Sequence, residues 1–158
     1  KPPEPLIQKH FSRIMSLKDG TKKMSKSDMA EGSRINLTDT NDQIISKIKK
    51  AKTDNNVLPG NKQELEGRPE AENLMGIYSS LSNQNISDTI IEFEGKNYSE
   101  LKSKLSEKIV SKISPISKEI KKLLADKDYL DQILKEGGQK AEEISSKKVK
   151  KIKEIIGF

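Results

Sequence analysis

The chain has 158 residues, 32% hydrophobic and 34% charged, which leaves room for one domain or two small pieces and only a modest apolar core. It has no cysteine and a single histidine, His10, which removes disulfide scaffolds, Cys/His zinc sites, thiol nucleophiles and most Ser-His-Asp arrangements. The formal charge of +6 rests almost wholly on lysine, since the only arginines are Arg13, Arg34 and Arg68; lysine suits phosphate better than bidentate reading of base edges, so the balance points either to a polyanion bound without base specificity or simply to solubility.

That charge is segregated. Residues 1–60 carry 12 basic and 7 acidic side chains, residues 61–100 carry 3 and 8, and residues 101–158 carry 15 and 9, so two basic regions flank an acidic middle. No apolar run approaches the roughly 18 residues a membrane span needs, and no signal peptide is legible, so no membrane contact and a cytoplasmic setting are expected. Because the sequence starts Lys1-Pro2-Pro3 rather than with methionine, it is expected to be a processed product, an excised piece or part of a longer protein.

In chain order, residues 1–37 lack helical periodicity. The proline-rich start is extended, residues 11–17 alternate like a short strand, residues 18–32 form a polar loop around Gly20, and residues 35–37 predict a second short strand. From Thr40 or Asn41, either of which can cap a helix, Ile44, Ile45, Ile48 and Ala51 fall on one inner face. Residues 54–68 read as a connecting loop, and Pro69 opens the next helix through Leu74, Ile77, Tyr78 and Leu81. A short helix or turn covers residues 87–93.

A long amphipathic stretch starts near Tyr98, with Leu101, Leu105, Ile109 and Ile113 recurring every fourth residue. Pro115 is expected to break it or open a new first turn. Ile116, Ile120, Leu123 and Leu124 continue to Asp126; Tyr129 to Leu134 mark another helix before Gly137-Gly138, and a last one runs from Gln139. The C-terminal half is expected to be a helical bundle. Its carboxylates sit among lysines at helix-surface spacing, the pattern of a solvated face rather than an acid/base pair. Tyr78, Tyr98 and Tyr129 are expected at core edges rather than stacked on bases, and His10 on the surface or in packing.

One loop carries chemistry. Gly20 to Asp28 sets Lys23 and Lys26 three residues apart with hydroxyls between and after them, so ammonium groups, Ser hydroxyls and loop N–H groups can together hold a polyphosphate. It is not a P-loop, which would need glycine at Ser25.

Lys23-Met24-Ser25-Lys26-Ser27 matches letter for letter the KMSKS signature of class I aminoacyl-tRNA synthetases. The flanking residues Arg13 to Leu17, Gly20 to Lys22 and Asp28 resemble the bacterial-type tryptophanyl-tRNA synthetases. So do Phe93 to Tyr98, Asp126 to Leu134, Glu136-Gly137, Lys140-Ala141 and the closing Ile155 to Phe158, a resemblance that spans nearly the whole sequence.

The resemblance implies a mainly α chain: residues 1–38 as the end of a Rossmann-like class I catalytic domain with its KMSKS loop, then residues 39–158 as an α-helical tRNA (anticodon)-binding domain. It implies the C-terminal half of a homodimeric, cytoplasmic enzyme that activates tryptophan with ATP and Mg2+ and esterifies tRNA(Trp). Lys23 and Lys26 would be the catalytic cations. Ile14 would touch the adenine or ribose end of ATP through its backbone, and Lys23, Met24, Ser25, Lys26 and Ser27 would close over the triphosphate.

The family's His-Ile-Gly-His motif and tryptophan pocket do not occur in these residues, so the 158-residue chain alone is expected to be inactive. Two alternatives stand beside this reading: a non-catalytic basic helical RNA-binding module, and a sister tyrosyl enzyme, whose usual C-terminal appendage does not resemble the helices after Tyr98. Lys102, Lys104, Lys108 and Lys112, and Lys147, Lys148, Lys150 and Lys151, are candidate phosphate-binding faces.

Overall fold

The computed structural model of the chain describes residues 2–5 and 11–157; His10 and Phe158 lie outside the described residues. Among the described residues the elements are a 3-10 turn (Glu31–Ser33) and six helices: α1 (Asn41–Lys49), α2 (Lys62–Leu65), α3 (Pro69–Ser82), α4 (Ile86–Phe93), α5 (Tyr98–Ala125) and α6 (Lys127–Ile156). The chain divides into two compact units, Lys1–Ser117 and Lys118–Phe158.

Caps explain where the helices start. Thr40 Oγ1 accepts the Gln43 N–H at 3.2 Å while Gln43 Oε1 accepts the Thr40 N–H at 2.7 Å, a reciprocal box that settles the choice between Thr40 and Asn41. Asn61 and Asn85 cap α2 and α4 through their side-chain oxygens, each at 2.9 Å. Pro69 opens α3 at its first turn, and Asn83 closes it in the left-handed conformation, φ 54°. α2 is a single turn inside residues expected to be loop, made possible by the Asn61 cap.

The first unit packs around Ile44 and Ile48 of α1, Leu74 and Met75 of α3, Ile90 and Phe93 of α4, and Leu101, Leu105 and Ile109 of α5. The four-residue spacing on α5 is that of a helix with one face to the core. Ile45, expected on the inner face of α1, is largely exposed; it lies 100° around the helix from Ile44, beyond the arc that core contact covers. Tyr78 packs edge-on against Phe93, with centroids 4.9 Å apart, and its hydroxyl donates to Glu92; Tyr98 is buried.

The expectations for residues 11–17 and 35–37, for Pro115 and for Gly137-Gly138 fail. The strands over residues 11–17 and 35–37 do not form: among the described residues there is one isolated antiparallel bridge, Met15 to Lys23. The outer edge of the 15–17 segment is occupied by a side chain and two loop backbones instead of a strand, since Met15 bonds Asn73 while Leu17 bonds Ser33 and Lys52. Secondly, Pro115 does not interrupt α5. The helical partner it denies to the Ser111 carbonyl is replaceable by solvent, because both residues are exposed. Thirdly, Gly137-Gly138 lies within the continuous α6, whose ends are set by the Asp126 cap and the left-handed Gly157, φ 84°.

The second unit is helical as expected but is not a packed bundle: none of its described residues is buried. It holds only the last turns of α5 and one full helix, too few apolar faces to enclose a core. Leu134, Ile144, Ile152 and Ile155 stand exposed along α6.

Candidate nucleotide-loop site

The loop is built as a tight ladder. After Leu17 the chain reverses through Asp19–Lys22, where the Lys22 N–H donates to the Asp19 carbonyl at 3.1 Å. The Asp19 carboxylate accepts the Thr21 hydroxyl at 2.6 Å and the Thr21 N–H at 3.1 Å, with the Lys22 ammonium at 3.2 Å. These bonds, Thr21 first, hold the Asp19 carboxyl down to about 2. On the return, the Ser16 N–H donates to the Lys22 carbonyl (2.8 Å) and the Met24 N–H to the Ile14 carbonyl (3.0 Å), bracketing the Met15–Lys23 bridge.

Side chains alternate from there. Met24 turns inward and packs on the core, while Lys23, Ser25, Lys26 and Ser27 are exposed. Ser25 and Ser27 hydroxyls lie 3.0 Å apart, the Ser25 hydroxyl also accepts the Ser27 N–H at 3.3 Å, and the Asp28 N–H reaches the Ser25 carbonyl at 3.4 Å, closing a turn around Lys26. Beyond it the Asp28 carboxylate accepts the Ala30 N–H, which holds its carboxyl below the ordinary value, and the Arg34 guanidinium donates to the Asp28 carbonyl at 2.7 Å.

Lys22 is tied to Asp19, yet Lys23 and Lys26 have no carboxylate partner among the described residues. Two exposed ammonium groups with two hydroxyls, on a loop anchored at Met24, can bind the oxygens of a phosphate chain. Among the described residues no three His, Asp or Glu side chains gather closely enough to hold a metal ion. Ile14, half exposed, has its carbonyl engaged by Met24. A cleft of about 530 Å3 opens nearby between Arg13, Met15, Gly20, Pro69 and Asn73, but neither Lys23 nor Lys26 lines it.

The first turns of α3 carry the loop. A Cβ on Gly20 would lie 2.6 Å from the Pro69 backbone carbon and 2.7 Å from the Glu70 nitrogen, so only glycine permits this approach. Glu70 pairs with Lys52 at 2.8 Å; that ammonium, with the Gly20 N–H adding, holds the Glu70 carboxyl below its usual range. One turn on, Asn73 bonds both backbone groups of Met15. Sequence reasoning passed over Asn73; the signal was a polar residue set among Ala71, Leu74 and Met75 on the buried side of a helix.

The two basic faces divide differently. Lys102 Nζ donates to the carbonyls of Ala51 (2.7 Å) and Lys49 (3.2 Å) at the end of α1, and burial pushes its ammonium pKa down. Lys104 pairs with Glu92 at 2.8 Å and lies 5.2 Å from the Phe93 ring centroid. Both are therefore engaged within the first unit, whereas Lys108 and Lys112 have no carboxylate partner among the described residues. Lys147, Lys148, Lys150 and Lys151 are exposed on α6 of the second unit.

A family model described as tRNA synthetases class I (W and Y) matches residues 1–114, which include the whole loop. The chain belongs to the class I tRNA synthetases. It is 47% identical over 155 residues to the tryptophan–tRNA ligase of Brucella melitensis and 50% identical over 155 residues to that of Agrobacterium fabrum, in both cases covering 98% of this chain and 44% of the relative. The crystal structure of tryptophanyl-tRNA synthetase from Mycoplasma pneumoniae matches with a TM-score of 0.63 and 28% identity, covering 73% of this chain and 35% of that one. This class I synthetase chain thus spans less than half the length of the curated relatives it matches. No described helix is long and apolar enough to cross a membrane.

Proposed function

We propose that this chain is the C-terminal part of a tryptophan–tRNA ligase, cytoplasmic and homodimeric when intact, in which residues 1–38 end the Rossmann-like catalytic domain and residues 39–158 serve tRNA(Trp) binding. The observation that carries the reading is the loop: Lys23 and Lys26, exposed and without carboxylate partners among the described residues, stand in a five-residue motif inside the family match. The same match weakens the alternative of a non-catalytic RNA module.

In the reaction, a carboxylate oxygen of tryptophan attacks the α-phosphorus of ATP, the bond from that phosphorus to the bridging oxygen breaks, and pyrophosphate leaves with the bonding pair. Negative charge grows on the leaving group. Lys23 and Lys26, with the Ser25 and Ser27 hydroxyls, strengthen their bonds as that charge grows and so stabilise the transition state more than bound ATP. Ile14 would touch the adenine or ribose end of ATP through its backbone. Magnesium is assigned to the nucleotide's own phosphates, and none of these steps depends on a protein-held metal.

The test uses the full reading frame that carries this sequence. Tryptophan-dependent ATP–pyrophosphate exchange is expected, absent with tyrosine, and Lys23→Ala or Lys26→Ala should each lower kcat by about 100-fold or more. The 158-residue chain alone should give no exchange. Exchange driven by tyrosine, or unaffected by both substitutions, overturns the assignment.

A further inference from the structure

Met15 and Lys23 face each other as the pair that exchanges no hydrogen bonds with each other, since the bonds of this ladder run from Ser16 to Lys22 and from Met24 to Ile14. The Met15 N–H and C=O therefore point away from Lys23, toward the place of a third strand. No strand stands there. Instead the Asn73 side chain, 6% exposed, accepts the Met15 N–H on Oδ1 at 2.9 Å and donates from Nδ2 to the Met15 carbonyl at 2.9 Å. A side-chain amide has the same planar donor and acceptor as a peptide group, so one residue reproduces the pair of hydrogen bonds that a neighbouring strand would make.

We propose that Asn73 is a positioning residue of the nucleotide loop: its amide clamps Met15, which fixes the register of Lys23 across the bridge and hence where Lys23 and Lys26 present their ammonium groups. Two features make this more than local packing. First, a two-residue ladder held by two backbone bonds is too short to define its own register. Met15 needs an outside reference, and α3, seated in the core through Leu74 and Met75, is a rigid one. Second, the same helix grips the other end of the ladder, where Gly20 rests on the Pro69–Glu70 backbone. Asn73 touches neither Lys23 nor Lys26, and its effect runs through Met15 alone.

The kinetic consequence rests on the ligase reading above; the mechanical one does not. In the full-length protein, Asn73→Leu keeps the branched outline of the side chain and removes both bonds, and Asn73→Ala serves as a second variant in case the bulkier methyl groups pack poorly. Amide hydrogen exchange at Ser16 and Met24 should speed up by about tenfold or more, while that of Ile48 and Leu101 stays as in the parent. In pyrophosphate exchange, kcat/KM for ATP should fall about 10- to 100-fold, with the KM for tryptophan within about twofold, because a cation displaced by about an ångström binds the transition state less well.

Unchanged protection at Ser16 and Met24 overturns the clamp. Lost protection with unchanged ATP kinetics, in a protein where Lys26→Ala abolishes exchange, overturns the positioning role. If the parent protein shows no tryptophan-dependent exchange, the ligase reading fails, and hydrogen exchange still decides the clamp.

Discussion

Arg68 grips Asp54 with two parallel bonds, Nε to Oδ2 at 2.9 Å and Nη2 to Oδ1 at 2.8 Å, and the Tyr98 hydroxyl completes the group by donating to Asp54 Oδ2 at 2.9 Å. Arg68 and Tyr98 stand 14 and 44 positions beyond Asp54 in sequence and tie the 54–68 segment to the first turn of α5. Arg68 Nη2 also donates to the Val57 carbonyl, so the guanidinium holds the segment at two points. Arg68→Lys keeps the charge but loses the planar fork. Both side chains are partly solvated, so the expected loss is about 1–2 kcal/mol, read from the urea midpoint. Arg68→Lys matching the parent's stability would show the fork to be energetically idle.

The same group sets a pH dependence. Burial, then the facing Asp54 carboxylate, pushes the Tyr98 hydroxyl up to about 12. A phenol whose folded pKa lies above its unfolded value near 10 contributes stability that is complete below about pH 10 and fades between about 10 and 12 as the unfolded chain ionises first. Tyr78 is shifted the same way, chiefly by burial. Alkaline unfolding should therefore soften in Tyr98→Phe but persist in part through Tyr78. On the acid side, Asp54 is held below its ordinary value by Arg68 first; its contribution is present above the unfolded pKa of about 4 and is lost as pH falls through the folded one. Denaturant midpoints measured from about pH 3 to about pH 12 would follow both limbs.

Gly20→Ala should damage the loop more than a surface substitution normally does. The added carbon meets backbone atoms of Pro69 and Glu70, which cannot swing aside as a side-chain tip can. The loop must lift off α3, at a cost of about 1–3 kcal/mol. Limited proteolysis around Lys22 to Lys26 should quicken; cutting at the parent rate would place the close approach elsewhere.

Lysines on α5 should separate into two classes in a salt titration of tRNA binding. Lys108→Ala and Lys112→Ala are expected to lower affinity and reduce the slope of log K against log salt by about 1 for each phosphate no longer neutralised. Lys102→Ala should act on stability instead, because it strips two carbonyls at the end of α1 of their donor. A slope change in Lys102→Ala with unaltered stability would reverse the assignment.

In α6, Gly137 and Gly138 have open space where a Cβ would stand and sit mid-helix with negative φ. Gly137→Ala and Gly138→Ala should each favour the helix by about 0.5–1 kcal/mol, visible as higher helical ellipticity. Unchanged ellipticity in both would mean that α6 is not continuous there in solution.

Helix positions were largely legible because they depend on local matters: a four-residue apolar period at Leu101, Leu105 and Ile109, a capping box at Thr40 and Gln43, a first-turn Pro69. The errors came where local signals were read too literally. Pro115 and Gly137-Gly138 are breakers by propensity, at about 3 kcal/mol for a proline and about 1 for a glycine, yet they sit on exposed helix surface, where solvent satisfies the groups they leave without a partner and the helix continues. The alternating residues 11–17 read as a strand because alternation reports which side a residue faces, not whether a partner strand exists.

The motif proposed for the chemistry and the family of the chain are both legible in linear residues, since Lys23 to Ser27 are contiguous and a motif of neighbours needs no fold to be read. Which lysines remain available is a different kind of fact. Lys102 and Lys104 look like Lys108 and Lys112 in sequence, and only the approach of the α1 C-terminus and Glu92 separates them. The same holds for Asn73 and Met15, 58 residues apart. Charge and periodicity are properties of the chain, but a hydrogen bond belongs to a pair of places in space, and packing alone brings those places within about 3 Å.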